Sequence, residues 1–291
     1  MKQIVSLLWV RMTTNIRQWR AGALRELIPI SVEAGIEINA ILKFVLKRES
    51  SWLLAHDEYL LNEAEAELLN QLLVRLKTRE PLAYITGVQE FYGLSFLVNP
   101  AVLNPRPETE LLVEEAIQWG RRIDRPIKVL DIGTGSGAIL ISVLDNLPGG
   151  WGVGIDISLA ALKVAVENAR RLDCKAAVFL NGDLCSAIQG KFDLVCANLP
   201  YIPTQAVIEM EHARFEPLQS LDGGTNGLQF IAAVFKQLEG TVKEPGLLLF
   251  EIQFDQGERV VAMASESFPG AQIRILNDLA GLNRIVKIEY Q

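Results

Sequence analysis

Apolar positions give the chain two textures. Up to about residue 85 they recur at three- and four-residue spacing, as in Leu60, Leu61, Ala64, Leu68, Leu69, Leu72, Leu73 and Leu76, with little glycine between them. That period puts an apolar stripe on each of several helices, and a helical bundle over residues 1–85 is predicted. Ser50 or Ser51 and Asn62 are the candidate caps, since a short side-chain oxygen can satisfy a free N–H of a first turn. From Phe91 to Asn104, FYGLSFLVNPAVLN mixes aromatics, a glycine turn and alternation, which predicts a short hairpin or extended linker within 86–106. Thr109, followed by good helix formers, predicts a helix from near Pro107 to Trp119.

Beyond Arg125 the period changes. Short β-branched runs at 127–132, 151–156, 176–180, 192–197, 246–251, 271–275 and 284–289 read as strands. Helical patterns lie between them near 137–147, 159–172, 226–240 and 256–266. Strands alternating with helices pack as a doubly wound α/β sheet with mostly parallel strands, here over residues 107–291.

Composition narrows the function. The chain has 291 residues, 49% of them apolar, which is enough for a core and excludes disorder as its main state. Its net charge of −7 argues against a stable nucleic-acid partner, because holding phosphates needs a surplus of Lys and Arg. Cys174, Cys185 and Cys196 form no CxxC pair and only His56 and His212 are available, so no metal site is expected. The N-terminal apolar run Ile4–Val10 is too short for a signal peptide and reads as part of an amphipathic first helix. No stretch reaches the roughly eighteen apolar residues of a membrane span, so a cytoplasmic protein with no membrane partner is expected, monomeric by default.

Chemistry concentrates at the ends of the predicted strands. The first sheet strand runs into DIGTGSG, with Asp131, Gly133, Thr134, Gly135, Ser136 and Gly137. Glycines between a strand and a helix allow a sharp turn and close approach to a ligand. The spacing is GxGxG rather than the dinucleotide GxGxxG. In its Asp-x-Gly-x-Gly-x-Gly form it resembles the loop that binds S-adenosyl-L-methionine in seven-stranded methyltransferases, which implies the methionine part of the cofactor over the loop. Asp156 ends the second strand about twenty residues on, where an acid can accept from both ribose hydroxyls. Asp183 and Leu184 follow the third strand, where the resemblance places the adenine contacts.

The fourth strand runs into Asn198, Leu199, Pro200 and Tyr201. This tetrapeptide resembles the Asn-Pro-Pro-Tyr signature of methyltransferases acting on planar, amide-like nitrogens. An amide nitrogen is a poor nucleophile, its lone pair being delocalised into the carbonyl. Asn198 Oδ1 and the carbonyl of residue 199 can each accept one of its N–H groups, leaving one direction for attack. Pro200 restrains the backbone that presents that carbonyl. Tyr201 can stack on the planar target and face a cationic methyl. Such a site works by positioning. Leu199 stands where the signature has its first proline, which keeps the carbonyl and gives up some backbone restraint.

Arg79, Pro81, Tyr84, Gly87, Phe91, Gly93, Pro105, Arg106, Thr109 and Glu110 resemble the pattern of the peptide chain release factor glutamine methyltransferases, the HemK/PrmC family. FEPLQSLDGGTNGLQF and FEIQFDQGERV, which carry Glu251 and Gln256, resemble its later segments. The departures are Glu80 between Arg79 and Pro81, and Asn104. The resemblance implies a seven-stranded Rossmann-like S-adenosylmethionine-dependent methyltransferase domain behind a small helical bundle that helps dock the substrate, with Phe91 and the Pro105–Glu110 segment lining the cofactor and glutamine cleft. It implies methyl transfer to the glutamine of the Gly-Gly-Gln motif in class 1 peptide chain release factors, with S-adenosyl-L-homocysteine as product. Three alternatives stay open: a ribosomal-protein glutamine, a nucleic-acid adenine amino group, and a non-catalytic cofactor-binding scaffold.

Overall fold

The computed structural model describes residues 14–186, 188–238 and 241–290, with the backbone alone at 211 and 212. The Ile4–Val10 run lies outside the described residues. The chain divides into two compact units after Gly87.

The described part of the first unit is helical: α1 (Ile16–Leu27), α2 (Ala34–Leu46), α3 (Ser50–Ala55), α4 (Glu63–Lys77) and α5 (Leu82–Thr86). Asn15 and Asn62 open α1 and α4 with reciprocal capping boxes to Gln18 and Glu65. Glu49, not a serine, occupies the cap position of α3, so Ser50 and Ser51 are its first helical residues. Ile16, Trp19, Ile38, Leu42 and the α4 stripe Leu69, Leu72, Leu73 and Leu76 make the core. Leu60 and Leu68, counted in the predicted stripe, are 60% and 39% exposed. Leu60 precedes α4, and Leu68 is turned about 100° from Leu69, off the buried face.

The second unit opens with a hairpin, β1 (Val88–Phe91) and β2 (Leu94–Leu97). Tyr92 and Gly93 both take positive φ, 49° and 76°, the geometry a two-residue hairpin turn needs. A single 3-10 turn at Pro107–Thr109 leads into α6 (Glu110–Gly120). Then follow β3 (Lys128–Ile132), α7 (Ala138–Asn146), β4 (Trp151–Asp156), α8 (Leu159–Arg171), β5 (Ala177–Asn181) and β6 (Phe192–Ala197). The chain continues with α9 (Thr204–Glu209), α10 (Gln229–Gln237), β7 (Val242–Glu251), α11 (Gly257–Ser267), β8 (Gln272–Asn277) and β9 (Asn283–Tyr290). The sheet has seven strands in the order β5-β4-β3-β6-β7-β9-β8, with β9 antiparallel to both neighbours.

Alternate residues feed two cores. Val129, Leu194, Cys196, Leu247 and Leu249 pack under α6 and α7, while Leu130, Val195, Leu248 and Phe250 pack under α10 and α11. Burial on both faces is why these strands carry near-continuous apolar runs. All seven predicted strands are present. Helix α9 and the 3-10 turns at Glu211–Phe215 and Leu218–Ser220 were not foreseen. Their segments are short, with too few turns to show a period.

Candidate active site

Register assembles the site. Ile132 of β3 pairs with Ile155 of β4 and Ala197 of β6, and Ala197 pairs with Phe250 of β7. The next residue on each strand is therefore Gly133, Asp156, Asn198 and Glu251, in one row at the carboxyl edge. The strand order reverses between β3 and β6, the place where open α/β sheets bind ligands.

The glycine loop is held by β4. Gly133 and Thr134 donate their N–H groups to Ile155 O at 2.9 and 3.0 Å, and Gly135 N donates to Asp156 Oδ2 at 2.9 Å. Gly133, Gly135 and Gly137 all have positive φ. At Gly133 a Cβ would stand 3.1 Å from Leu199 Cδ2, so glycine there also lets the loop pass beside the 198–201 turn. Asp156 Oδ1 accepts from Ser158 N at 2.8 Å, so its carboxylate ties the loop to the start of α8. Asn168 of α8 uses all three of its hydrogen bonds on Leu97 N, Leu97 O and Ser136 O, joining the hairpin to the loop.

Asp131 is fully buried. Thr134 Oγ1 donates to its Oδ2 at 2.6 Å, while Oδ1 has no hydrogen-bond partner, the Leu140 N–H favouring the charge without closing a full bond. Burial outweighs these contacts and pushes its carboxyl up to about 7. A buried carboxylate oxygen left unpaired beside a backbone cradle suits a ligand that carries a cationic group.

One cleft of about 250 Å³ is lined by Gly133, Thr134, Gly135, Ser136, Asp156, Asp183, Leu184, Asn198, Leu199 and Pro200. Phe91, Arg106, Thr109 and Pro217 complete much of its wall. Asp131, Gly137 and Tyr201 are not among the lining residues: Asp131 lies beneath the loop, Gly137 starts α7, and Tyr201 turns its hydroxyl onto Glu251 Oε1 at 3.2 Å. Burial and the Glu251 charge push the Tyr201 phenol up, so it stays protonated and donates.

Thr109 and Arg106 lie in the Pro105–Glu110 segment that the resemblance sets in the cleft wall, and three partners around them, Glu251, the Asp222–Gly227 segment and Glu216, were not among the site residues read from the sequence. Asn198 Nδ2 donates to Glu251 Oε2 at 2.9 Å and to Thr109 Oγ1 at 3.1 Å. The Asp222–Gly227 segment lies against the turn: Gly223 N donates to Ile202 O at 2.8 Å, and Gln256 Nε2 donates to Tyr201 O at 2.8 Å. Buried Glu216 takes Arg106 Nη2 on both oxygens, at 2.8 and 2.6 Å. The signal for all three lay in the FEPLQSLDGGTNGLQF and FEIQFDQGERV segments, but no spacing rule connects residues so far apart in the chain.

A seven-stranded sheet with one antiparallel strand, a glycine loop after β3 and an acid at the end of β4 defines the Rossmann-like methyltransferase fold. A methyltransferase structure from Pyrococcus furiosus shares it, with a TM-score of 0.50 and 15% identity over 76% of this chain and 98% of that one. A methyltransferase domain family matches residues 123–266, and the PrmC N-terminal domain family matches residues 18–87. The release factor glutamine methyltransferase of Bordetella pertussis is 38% identical over 86% of this chain and 93% of its own length. That of Coxiella burnetii is 32% identical over 94% and 98%. The chain belongs to the release factor glutamine methyltransferase family. No helix among the described residues is long and apolar enough to cross a membrane.

Proposed function

We propose that this protein transfers one methyl group from S-adenosyl-L-methionine to the glutamine side chain of the Gly-Gly-Gln motif in class 1 peptide chain release factors. The observation that carries the proposal is the Asn198–Pro200 turn, which lines the same cleft as the glycine loop and Asp156 in a chain of this family. In this proposal the Gly133–Gly137 loop and Asp131 hold the amino-acid part of the cofactor, Asp156 the ribose, and Asp183 with Leu184 the adenine. The bound cofactor supplies an electrophilic methyl and its own leaving group.

The remaining work falls to the protein's own residues. Asn198 Oδ1 and the Leu199 carbonyl accept the two N–H groups of the substrate amide and turn its nitrogen toward the methyl. Pro200 restrains that carbonyl, and Tyr201, behind the cleft wall, anchors the end of the turn by keeping its hydroxyl on Glu251. The helical unit docks the release factor, and the protein acts as a cytoplasmic monomer.

The test is incubation with labelled S-adenosyl-L-methionine and, separately, a release factor, a ribosomal-protein mixture and DNA. Label is expected on the release factor, and peptide mapping should place it on the Gly-Gly-Gln glutamine. Label on DNA or a ribosomal protein alone overturns the proposal. No label on any acceptor, with cofactor binding intact, supports a non-catalytic scaffold instead.

A further inference from the structure

Glu251, the last residue of β7, is 1% exposed and takes three donors. Thr109 Oγ1 at 2.6 Å and Asn198 Nδ2 at 2.9 Å bind its Oε2, and Tyr201 Oη at 3.2 Å binds its Oε1. An asparagine carboxamide is nearly symmetric in shape and opposite in polarity at its two ends, so its surroundings must choose which end faces a ligand. An ionised carboxylate only accepts, and therefore accepts only from Nδ2. Thr109 adds a second constraint. Its hydroxyl has one proton, and that proton goes to Glu251, so toward Asn198 at 3.1 Å it presents a lone pair. Oδ1 has no hydrogen-bond partner among the described residues. Because it is attached to the same carbon as Nδ2, tying the nitrogen inward leaves the oxygen as the free end of a side chain that lines the cleft.

We propose that Glu251 is a positioning residue for methyl transfer: by accepting from Asn198 Nδ2, with Thr109, it fixes the carboxamide so that Oδ1 meets the substrate amide. This rests on the functional reading above, in which the cleft receives an NH2 group. The reversed carboxamide would set oxygen against the carboxylate and NH2 against the substrate's NH2, two repulsive contacts in place of two attractive ones. Burial pushes the Glu251 carboxyl up, opposed by the Thr109 hydrogen bond, the Arg284 charge and the Tyr201 hydroxyl, all of which favour the ionised form.

Two substitutions separate positioning from packing. Glu251→Met keeps the side-chain length and removes both acceptors. Glu251→Gln keeps one acceptor oxygen for Asn198 and Thr109 if its NH2 turns to the Tyr201 hydroxyl. Four quantities are measured: kcat, KM for a release factor, cofactor affinity, and solvent exchange of the Asn198 side-chain NH2. The NH2 signals are assigned by their loss in Asn198→Ala.

The Met variant is expected to lose about 30-fold in kcat, about 2 kcal/mol of orienting charged hydrogen bond, with cofactor affinity unchanged. The Gln variant should recover most of that. In an Asn198→Ala background, Glu251→Met should have no further effect on kcat, because its target is gone. The Asn198 NH2 should exchange slowly in wild type and Gln, and fast in Met. Wild-type kcat in the Met variant, independent losses in the double variant, or fast exchange in wild type each overturn the proposal.

If Glu251→Met does not fold, Thr109→Val carries the test. A smaller kcat loss that vanishes in the Asn198→Ala background supports positioning, and an additive loss overturns it. The exchange measurement needs no substrate. A wild-type protein that fails to methylate a release factor therefore counts against the functional reading, while slow exchange that depends on residue 251 still supports the positioning.

Discussion

Gly223 offers a sharp test of how the 198–201 turn is held. Its φ lies outside the left-handed region, so alanine is compatible with its backbone and only space opposes a side chain. A Cβ there would stand 2.6 Å from Pro200 O, 2.8 Å from Tyr201 Cα and 2.9 Å from Gly227 Cα. All three are backbone atoms, so no rotamer change relieves the contact. Ordinary contact begins at 3.4 Å, so the two segments must separate by about 0.8 Å at Pro200 O. The Gly223 N to Ile202 O and Ile202 N to Leu221 O hydrogen bonds, 2.8 and 3.1 Å, resist that movement. Overpacking of this kind costs about 1–3 kcal/mol of stability. A shift approaching 1 Å in a positioning site costs up to about a hundredfold in rate, so Gly223→Ala is expected to lower kcat by roughly tenfold to a hundredfold. Cofactor affinity should stay close to wild type, because the glycine loop hangs from β3 and β4. The assay is methyl transfer to a release factor at saturating substrates, with calorimetric cofactor binding and a thermal melt on the same protein. A folded Gly223→Ala variant with wild-type kcat would falsify the view that this loop sets the position of the turn.

Asp156→Ala removes the acceptor for Gly135 N and Ser158 N as well as the expected ribose contact. Cofactor affinity should fall about tenfold to a hundredfold by calorimetry, and an unchanged affinity refutes that assignment. The sequence alone suggests that Leu199→Pro is neutral or mildly beneficial. Leu199 is 3% exposed and packs near Gly133, while its N–H donates no backbone hydrogen bond among the described residues. We therefore expect a loss of about 1 kcal/mol in stability from the smaller side chain, with kcat retained, and a large drop in kcat would show that the backbone at 199 cannot accept proline. Asp131 holds its proton to about pH 7 in the folded protein, against about 4 in the unfolded chain. Its contribution to stability is thus full below about pH 4 and is lost as pH rises through about 7. Asn at 131 carries no such loss, so the Tm of Asp131→Asn relative to wild type, without cofactor, should rise between pH 5 and pH 8. A constant difference refutes the buried, hard-to-ionise carboxyl.

Much of the fold was legible because local signals agreed with the tertiary outcome. Central strands buried on both faces must be apolar throughout, and β3, β4, β6 and β7 stood out for that reason, while the half-exposed edge strands β5 and β8 showed only as short apolar runs. Asn62 capped α4 where its neighbours said it would. Leu68 misled because a run of leucines satisfies the helical period on more than one face and only packing chooses the buried one, and Leu60 because it continues the spacing ahead of the helix that Asn62 caps. The loop from Asp131 to Gly137, Asp156 and the Asn198–Tyr201 tetrapeptide were legible as motifs because each is contiguous, and contiguity is what a motif records.

The sequence by itself determined which groups are present and which strand end carries each: a glycine loop, an acid, an amide and a planar ring. Tertiary structure decided what those groups face. Pairing of Ile132, Ile155, Ala197 and Phe250 brought Gly133, Asp156, Asn198 and Glu251 into one row, and a one-residue slip in any pair would have separated them. The direction of the Asn198 carboxamide depends on Thr109, 89 residues away, and on Glu251, 53 residues away. Hydrogen bonds act over about 3 Å in space whatever the separation along the chain, so that choice of direction exists only once the sheet has formed.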